Sequence, residues 1–346
     1  MNNTLLRACT WAWCAVAAPL GLAAQDLHFG HLTAVPTQVN PAYAGLLEGK
    51  ARAGVATRGQ WNSVTNAFRT AALSADMQVW DNGHDIAGAG IYLNSDRAGD
   101  LDFTTQEVGL TGSYLKALDD RTFVGFGLVN QFTFRRIDWT QARGFDFEPE
   151  QSLASDGRVR YWSLGAGLAA FRRINRKISW FVGGSAAHLN RPTTSFLADA
   201  DNNVADQVYT RWALHGGAEI KFGRFNSVRP SILAQWQGPS SLVKVGSFYR
   251  FRQDMGTHTD APIAVHFGVF GRFDVGAGYK TFDAVILAAR FDYERTVITA
   301  SFDTNVSSLA EASRGVGGPE LSVVQQFDWG GRGRRRSKVK CPTFQY

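Results

Sequence analysis

The sequence predicts an all-β protein, a transmembrane antiparallel outer-membrane β-barrel of about 14 strands, with a short N-terminal segment before it and a basic periplasmic C-terminal tail after it. Three observations carry that prediction: an export signal at the start, repeated strand-length segments with period-two alternation, and connections that alternate between long and short.

Residues 1–24 read as a secretory signal peptide. Arg7 precedes an apolar run from Trp11 to Leu22, and small residues at Ala23 and Ala24 place cleavage before Gln25. The run is too short to span a bilayer as a helix and is followed by polar chain, so it signals export rather than anchoring. Cys9 and Cys14 leave with the signal, and Cys341 alone stays in the mature chain. One thiol makes neither an intramolecular disulfide nor a structural zinc site. Residues 25–49 form an N-terminal periplasmic or plug segment. Within it Pro41 fixes φ and holds Asn40 extended, so the chain enters its first strand from a set angle.

Residues 50–329 read as the barrel. Val124, Phe126, Leu128, Asn130, Phe132 and Phe134 make one mainly large, apolar face, against Gly125, Gly127, Val129, Gln131 and Thr133 on the other. The pattern recurs in Trp162, Leu164, Ala166 and Leu168 against Ser163, Gly165 and Gly167. It recurs again in Val285, Leu287, Ala289 and Phe291 against Ala288, Arg290 and Asp292. In a membrane barrel the apolar face meets lipid and the small, polar face lines the lumen; in a soluble sandwich the directions reverse.

Strands are expected at 50–60, 67–79, 86–95, 103–117, 122–136, 159–172, 177–189, 208–222, 227–237, 240–251, 263–272, 283–293, 295–304 and 319–328. Long connections fall at 137–158, 190–207, 273–282 and 305–318, and tight ones at 80–85, 118–121, 173–176, 223–226 and 294. Long loops outside and short turns in the periplasm, with an even strand count, put both chain ends in the periplasm. Gly238-Pro239 is short for a surface loop, and 252–262 is long for a turn. Trp61, Trp80, Trp139, Trp162, Trp180, Tyr209, Trp212, Tyr293 and Trp329 lie near strand ends, where interfacial aromatic girdles form.

The net charge of +6 belongs to the tail. Arg332, Arg334, Arg335, Arg336, Lys338 and Lys340 are unaccompanied by any acid after Asp328, whereas residues 25–328 hold 29 basic and 30 acidic side chains. A nucleic-acid-binding body is not supported, because it has no cationic excess. In residues 330–346 an RNA-binding segment is at odds with export. A solvated end that stops the last strand and an electrostatic arm for docking a partner are the two readings left.

The segment Asn40-Pro41-Ala42-Tyr43-Ala44-Gly45, after Gln25-Asp26-Leu27-His28-Phe29 and before Arg58-Gly59-Gln60-Trp61, resembles the opening of the PorP/SprF family. That family comprises outer-membrane components of the type IX secretion and gliding machinery of Bacteroidetes. Asp96 and Gly99, within Asn94–Asp100, resemble its Asn-Asp-x-x-Gly loop, and Arg136-Ile137-Asp138-Trp139 resembles its Arg-Ser-Ile-Asp-Phe segment. Asp303 and Ser308, in Ser301–Leu309, and Glu320 and Ser322, in Pro319–Ser322, resemble the family ending; Lys340-Cys341-Pro342 resembles its terminal Cys-Pro. Departures are Leu27 in place of Pro, Ala34–Thr37 where aromatics are common, and Phe302 for Tyr.

Enzyme chemistry finds no support. No nucleophile elbow occurs, and Gly184-Ser185-Ala186-Ala187-His188 lacks the second glycine. His28 and His31 lie in an unpatterned segment, while Glu148 and Glu150 flank Pro149 in a long connection. Gly88-Ala89-Gly90 sits within a strand pattern and opens no helix, so no cofactor is expected. The resemblance implies an outer-membrane protein supporting secretion or surface anchoring of client proteins or gliding adhesins by binding. Its partners would be secretion machinery on the periplasmic side, a client outside and lipid around the barrel. The alternative is a passive transport barrel for small solutes, with its lumen open or plugged by residues 25–45.

Overall fold

The computed structural model describes residues 35–47, 49–60, 68–99, 102–138, 157–194, 207–253, 263–276, 279–307 and 316–329. Fourteen antiparallel strands run in sequence order and close into a single ring. They are β1 (Ala51–Gln60), β2 (Phe68–Asp81), β3 (Ile86–Ala98), β4 (Phe103–Asp119), β5 (Thr122–Arg136), β6 (Arg158–Arg173) and β7 (Ile178–Ala187), then β8 (Arg211–Phe222), β9 (Asn226–Gln237), β10 (Ser240–Gln253), β11 (Ile263–Gly276), β12 (Tyr279–Tyr293), β13 (Thr296–Asn305) and β14 (Val316–Phe327). The ring closes between its first and last strands, in register from Ala51↔Phe327 to Arg58↔Glu320. Closure leaves no sheet edge, which a wall in hydrocarbon requires, because an unpaired backbone group has no water to turn to there.

Side chains alternate as the sequence indicates, with the apolar face outward. Phe126, Leu128, Leu164, Leu168, Leu287 and Phe291 are exposed on the outer wall, while Gln131, Thr133, Ser163, Arg290 and Asp292 are buried within. Trp80, Tyr114, Tyr293 and Trp329 are exposed at the end of the ring where Lys50 and Phe327 lie, and Trp162, Tyr209 and Trp212 at the opposite end. We call these the terminal end and the loop end. Trp61, Trp139, the signal segment, Ser308 and the tail lie outside the described residues.

Strand limits depart from expectation where local geometry overrides composition. The expected long connection at 273–282 is instead a continued hairpin, paired through Gly276↔Tyr279, with a bulge at Arg272/Phe273 and the Phe273 and Phe282 rings 5.0 Å apart. β7 stops at Ala187 because His188 takes a left-handed conformation, φ 56°, which breaks the pleat. Gly238, at φ 57°, supplies the tight β9/β10 turn. β14 begins at Val316, since Gly317 and Gly318 let its backbone lie against Asp303 and Gly59, where a Cβ would clash.

Candidate functional site in the barrel lumen

Residues 35–47, the described stretch leading to β1, fold inside the ring. Pro36–Val39 makes one helical turn and Pro41–Tyr43 a 3₁₀ turn, with Asn40 between them extended at φ −148°, ψ 115°, as the following proline demands. The Asn40 side chain caps the second turn by accepting from the Ala42 N–H at 2.9 Å. Its amide nitrogen donates outward to two wall carbonyls, Leu168 O at 2.9 Å and Gly184 O at 3.4 Å. Asn40 is fully buried, so each of these bonds replaces one that water would otherwise make.

The rest of the segment is held the same way, mostly through its backbone. Ser185 Oγ donates to Val39 O and Ser113 Oγ to Ala44 O, both at 2.6 Å. Gln78 Nε2 donates to Gly45 O and Leu47 O, and the Gly45 N–H donates to Asp76 Oδ2 at 2.8 Å. Asp76 is itself fixed by a two-pronged pair with Arg52, whose guanidinium also reaches Tyr43 O. Gly45 sits at φ 70°, a conformation that favours glycine. The Tyr43 hydroxyl and His215 Nε2 share a 2.5 Å hydrogen bond, and the two rings meet edge to face.

The wall makes room with glycine. A Cβ at Gly88 would strike Ala44 O; at Gly127, Pro41 and Ala42; at Gly167, the Asn40 side chain. Around this seat Ala42, Tyr43 and Leu46 pack with Ile86, Leu115, Phe123, Phe171 and Phe181, and Val35 packs with Tyr92 and Val129. The segment therefore fills the lumen along β2 to β8, from Gln38 beside Arg211 at the start of β8 to Leu47 beside Gln78 near the end of β2, and its interior packing is that of a protein core.

Charges fill the other side. Toward the loop end, Asp303 Oδ2 accepts from Arg58 Nη2 at 2.7 Å and from Arg272 Nη1 at 2.5 Å, and Arg272 Nε reaches Asp283 at 2.6 Å. Lys244 and Glu320 are buried beside them. Toward the terminal end, Glu219 meets Arg229, Lys221 and Arg250, and Asp292 meets Arg290 and His266. Between β3 and β5 a neutral-to-acidic network joins Tyr92, Gln131, Glu107 and Asn94. A buried charge is costly unless paired, and Asp303, Glu219 and Asp292 each meet at least one arginine, while Glu107 accepts from the Asn94 and Gln131 amides.

The sequence motifs divide between these two regions. Asn40, Pro41, Tyr43 and Gly45 belong to the enclosed segment. Arg58, Asp303, Glu320 and Ser322 are buried in the charged half, where Arg58 and Asp303 pair although 245 positions apart. Asp96 accepts from Thr70 Oγ1, and Gly99 is a left-handed turn residue, φ 67°. Gln60 ends β1, and Asp138 lies half-buried just past β5. Asp76, Arg52, His215, Arg272 and Asp283 were not singled out from the sequence. Their signal was a charged or polar residue in the inward register of an otherwise apolar strand.

A family model described as "Type IX secretion system membrane protein PorP/SprF" matches residues 21–317, spanning the enclosed segment and nearly all of the ring. The chain belongs to the PorP/SprF family. It is accordingly a membrane protein of the type IX secretion system, seated in the outer membrane as its lipid-facing ring indicates. No curated protein matches the sequence. Among solved structures, this PorP/SprF barrel resembles the CymD monoaromatic hydrocarbon channel, with 14% identity, a TM-score of 0.45 and coverage of 88% of this chain and 94% of that one. It also resembles the Ralstonia pickettii toluene transporter TbuX (12% identity, TM-score 0.44, 84% and 93%). CdiB from Acinetobacter baumannii matches at 11% identity and TM-score 0.45 over 80% of this chain, which spans 60% of the length of CdiB.

Proposed function

We propose that this PorP/SprF barrel acts by binding rather than catalysis or conduction, as an outer-membrane platform on which particular type IX clients or gliding adhesins are secreted or held at the surface. The observation that carries the reading is the filled lumen. The Asn40–Leu47 segment is buried against wall glycines, and the wall of β9 to β14 and β1 is lined by buried, paired charges. A ring packed like a core is suited to presenting its two ends. The terminal end, with its short turns, is the periplasmic side and faces secretion machinery; the loop end holds the client.

Passive solute transport is the competing reading, and it requires a continuous passage between the ends. The discriminating experiment is the proteome of medium and cell surface from a deletion strain beside its parent. Loss of a few proteins bearing type IX export domains, with the bulk outer membrane unchanged, is the expected result. An unchanged secretome together with steady conductance of the purified protein in bilayers overturns it.

A further inference from the structure

The terminal-end rim is electrically lopsided. Along the ends of β6 to β10 the described residues 172–177, 219–229 and 250–253 contain nine cations, Arg172, Arg173, Arg176, Lys177, Lys221, Arg224, Arg229, Arg250 and Arg252, and one carboxylate, Glu219. That carboxylate is shared by three of them: Arg229 at 2.7 Å, Lys221 at 3.4 Å and Arg250 at 3.5 Å. The two acids of the following connection, Asp254 and Asp260, lie outside the described residues and leave the excess at six even when counted. At the same end of β1 to β4 the balance reverses. Lys50, Arg52, Lys116 and Arg121 face Asp76, Asp81, Asp85, Asp119 and Asp120.

The basic set is also shaped. Arg172, Arg176, Lys177 and Arg224 are exposed on the rim and its turns. Arg173 and Arg252 are half-buried in the inward register, and Arg229 and Arg250 lie inside the mouth. The cations thus run from the outer perimeter over the lip and into the lumen, beside the wall that the enclosed segment leaves to charges. A lipid headgroup reaches only the perimeter. A polypeptide can follow the whole path.

We infer that this rim, from the β6/β7 turn to the end of β10, binds an acidic segment of a periplasmic protein, with Glu219 as the carboxylate that such a segment would supplement. The inference deepens the platform reading, on which it rests for the orientation of the barrel, and the test below is independent of secretion. Clustered cations of this kind steer an oppositely charged partner and lose their hold as salt screens them.

The probe is a fluorescein-labelled deca-glutamate peptide, followed by anisotropy against the full-length protein in zwitterionic nanodiscs. Binding at low salt should weaken by about tenfold in Arg176→Glu/Lys177→Glu/Arg224→Glu, which alters exposed turn residues. It should persist when residues 330–346 are deleted, and a deca-lysine peptide should not bind. Equal binding by the triple variant overturns the proposal, as does binding lost only with the tail. Capture of phosphatidylglycerol vesicles without capture of the peptide also overturns it, and makes the rim a membrane contact. None of these outcomes alters the secretome comparison, so the two readings fail separately.

Discussion

The two halves of the lumen are filled by opposite means. Along β2 to β8 the wall recedes to glycine and the chain's own N-terminal segment moves in, held by hydrogen bonds to its backbone. Along β9 to β14 no segment among the described residues enters, and inward side chains instead pair along the wall itself, Arg58 of β1 with Asp303 of β13 over the intervening β14, and Arg272 with Asp283 on adjacent strands. The first arrangement is a segment seated in a fitted groove and outside the strand ladder of the ring. The second is part of the ring itself.

The sharpest way to break that contrast is to fill the seat. Gly127→Leu would place a side chain where Pro41 and Ala42 now lie. The expected result is complete loss of the docked segment from an intact ring, read as protease cleavage near Asn40 and a rise in single-channel conductance. An unfolded ring instead would show that the seat is structural.

Asp303→Ala tests the other half. It leaves Arg58 and Arg272 buried without their shared acceptor and should cost about 3–5 kcal/mol of unfolding free energy, measured by denaturant titration in lipid, with the segment still docked. Asn40→Ala should be milder. It removes one cap and the bonds to Leu168 and Gly184, costing roughly 1–3 kcal/mol of docking, seen as faster hydrogen exchange at Ala42 with the unfolding midpoint of the ring unmoved.

The smallest effect belongs to the β2/β3 turn, outside both halves. Hydrogen bonds from Tyr114 Oη and the Ala117 N–H, with Lys116 nearby, hold the Asp85 carboxyl below the usual aspartate range. A depressed folded-state value stabilises the turn above the ordinary aspartate pKa, and the contribution disappears as pH falls through the lowered one. Exchange at the Ala117 amide should thus be flat from neutral pH down to the ordinary aspartate range, apart from its intrinsic pH dependence, and accelerate below it. Asp85→Asn should abolish the step.

Much of the ring was legible because lipid outside and crowding inside impose a period of two on every strand, and turns interrupt it. Phe126, Leu128, Arg290 and Asp292 show both faces in the sequence itself. The expected connection at 273–282 is paired instead, because the bulge at Arg272/Phe273 brings Phe273 opposite Phe282 and extends the ladder, a register shift that alternation does not reveal. The motif Asn40–Gly45 could be recognised but not placed. Its partners Leu168, Gly184 and His215 are brought to it only by closure, and a backbone carbonyl has no signature in sequence. Pairings such as Arg58 with Asp303 depend on closure, which sets β1 and β13 on either side of β14, and on the register of both ladders, information that alternation along one strand does not contain.

Closure between β1 and β14 has a consequence for biogenesis. The segment Val35–Leu47 precedes in the chain every strand of the wall that surrounds it, and the seam of that wall, Arg58↔Glu320 through Ala51↔Phe327, joins the first strand to the last. An open, growing sheet can be assembled around a strand-preceding peptide already lying against β2 to β8, whereas a finished ring admits it only by threading through an end. Chain topology thus lets the wall wrap around the segment without threading when the β1–β14 seam is the last to close.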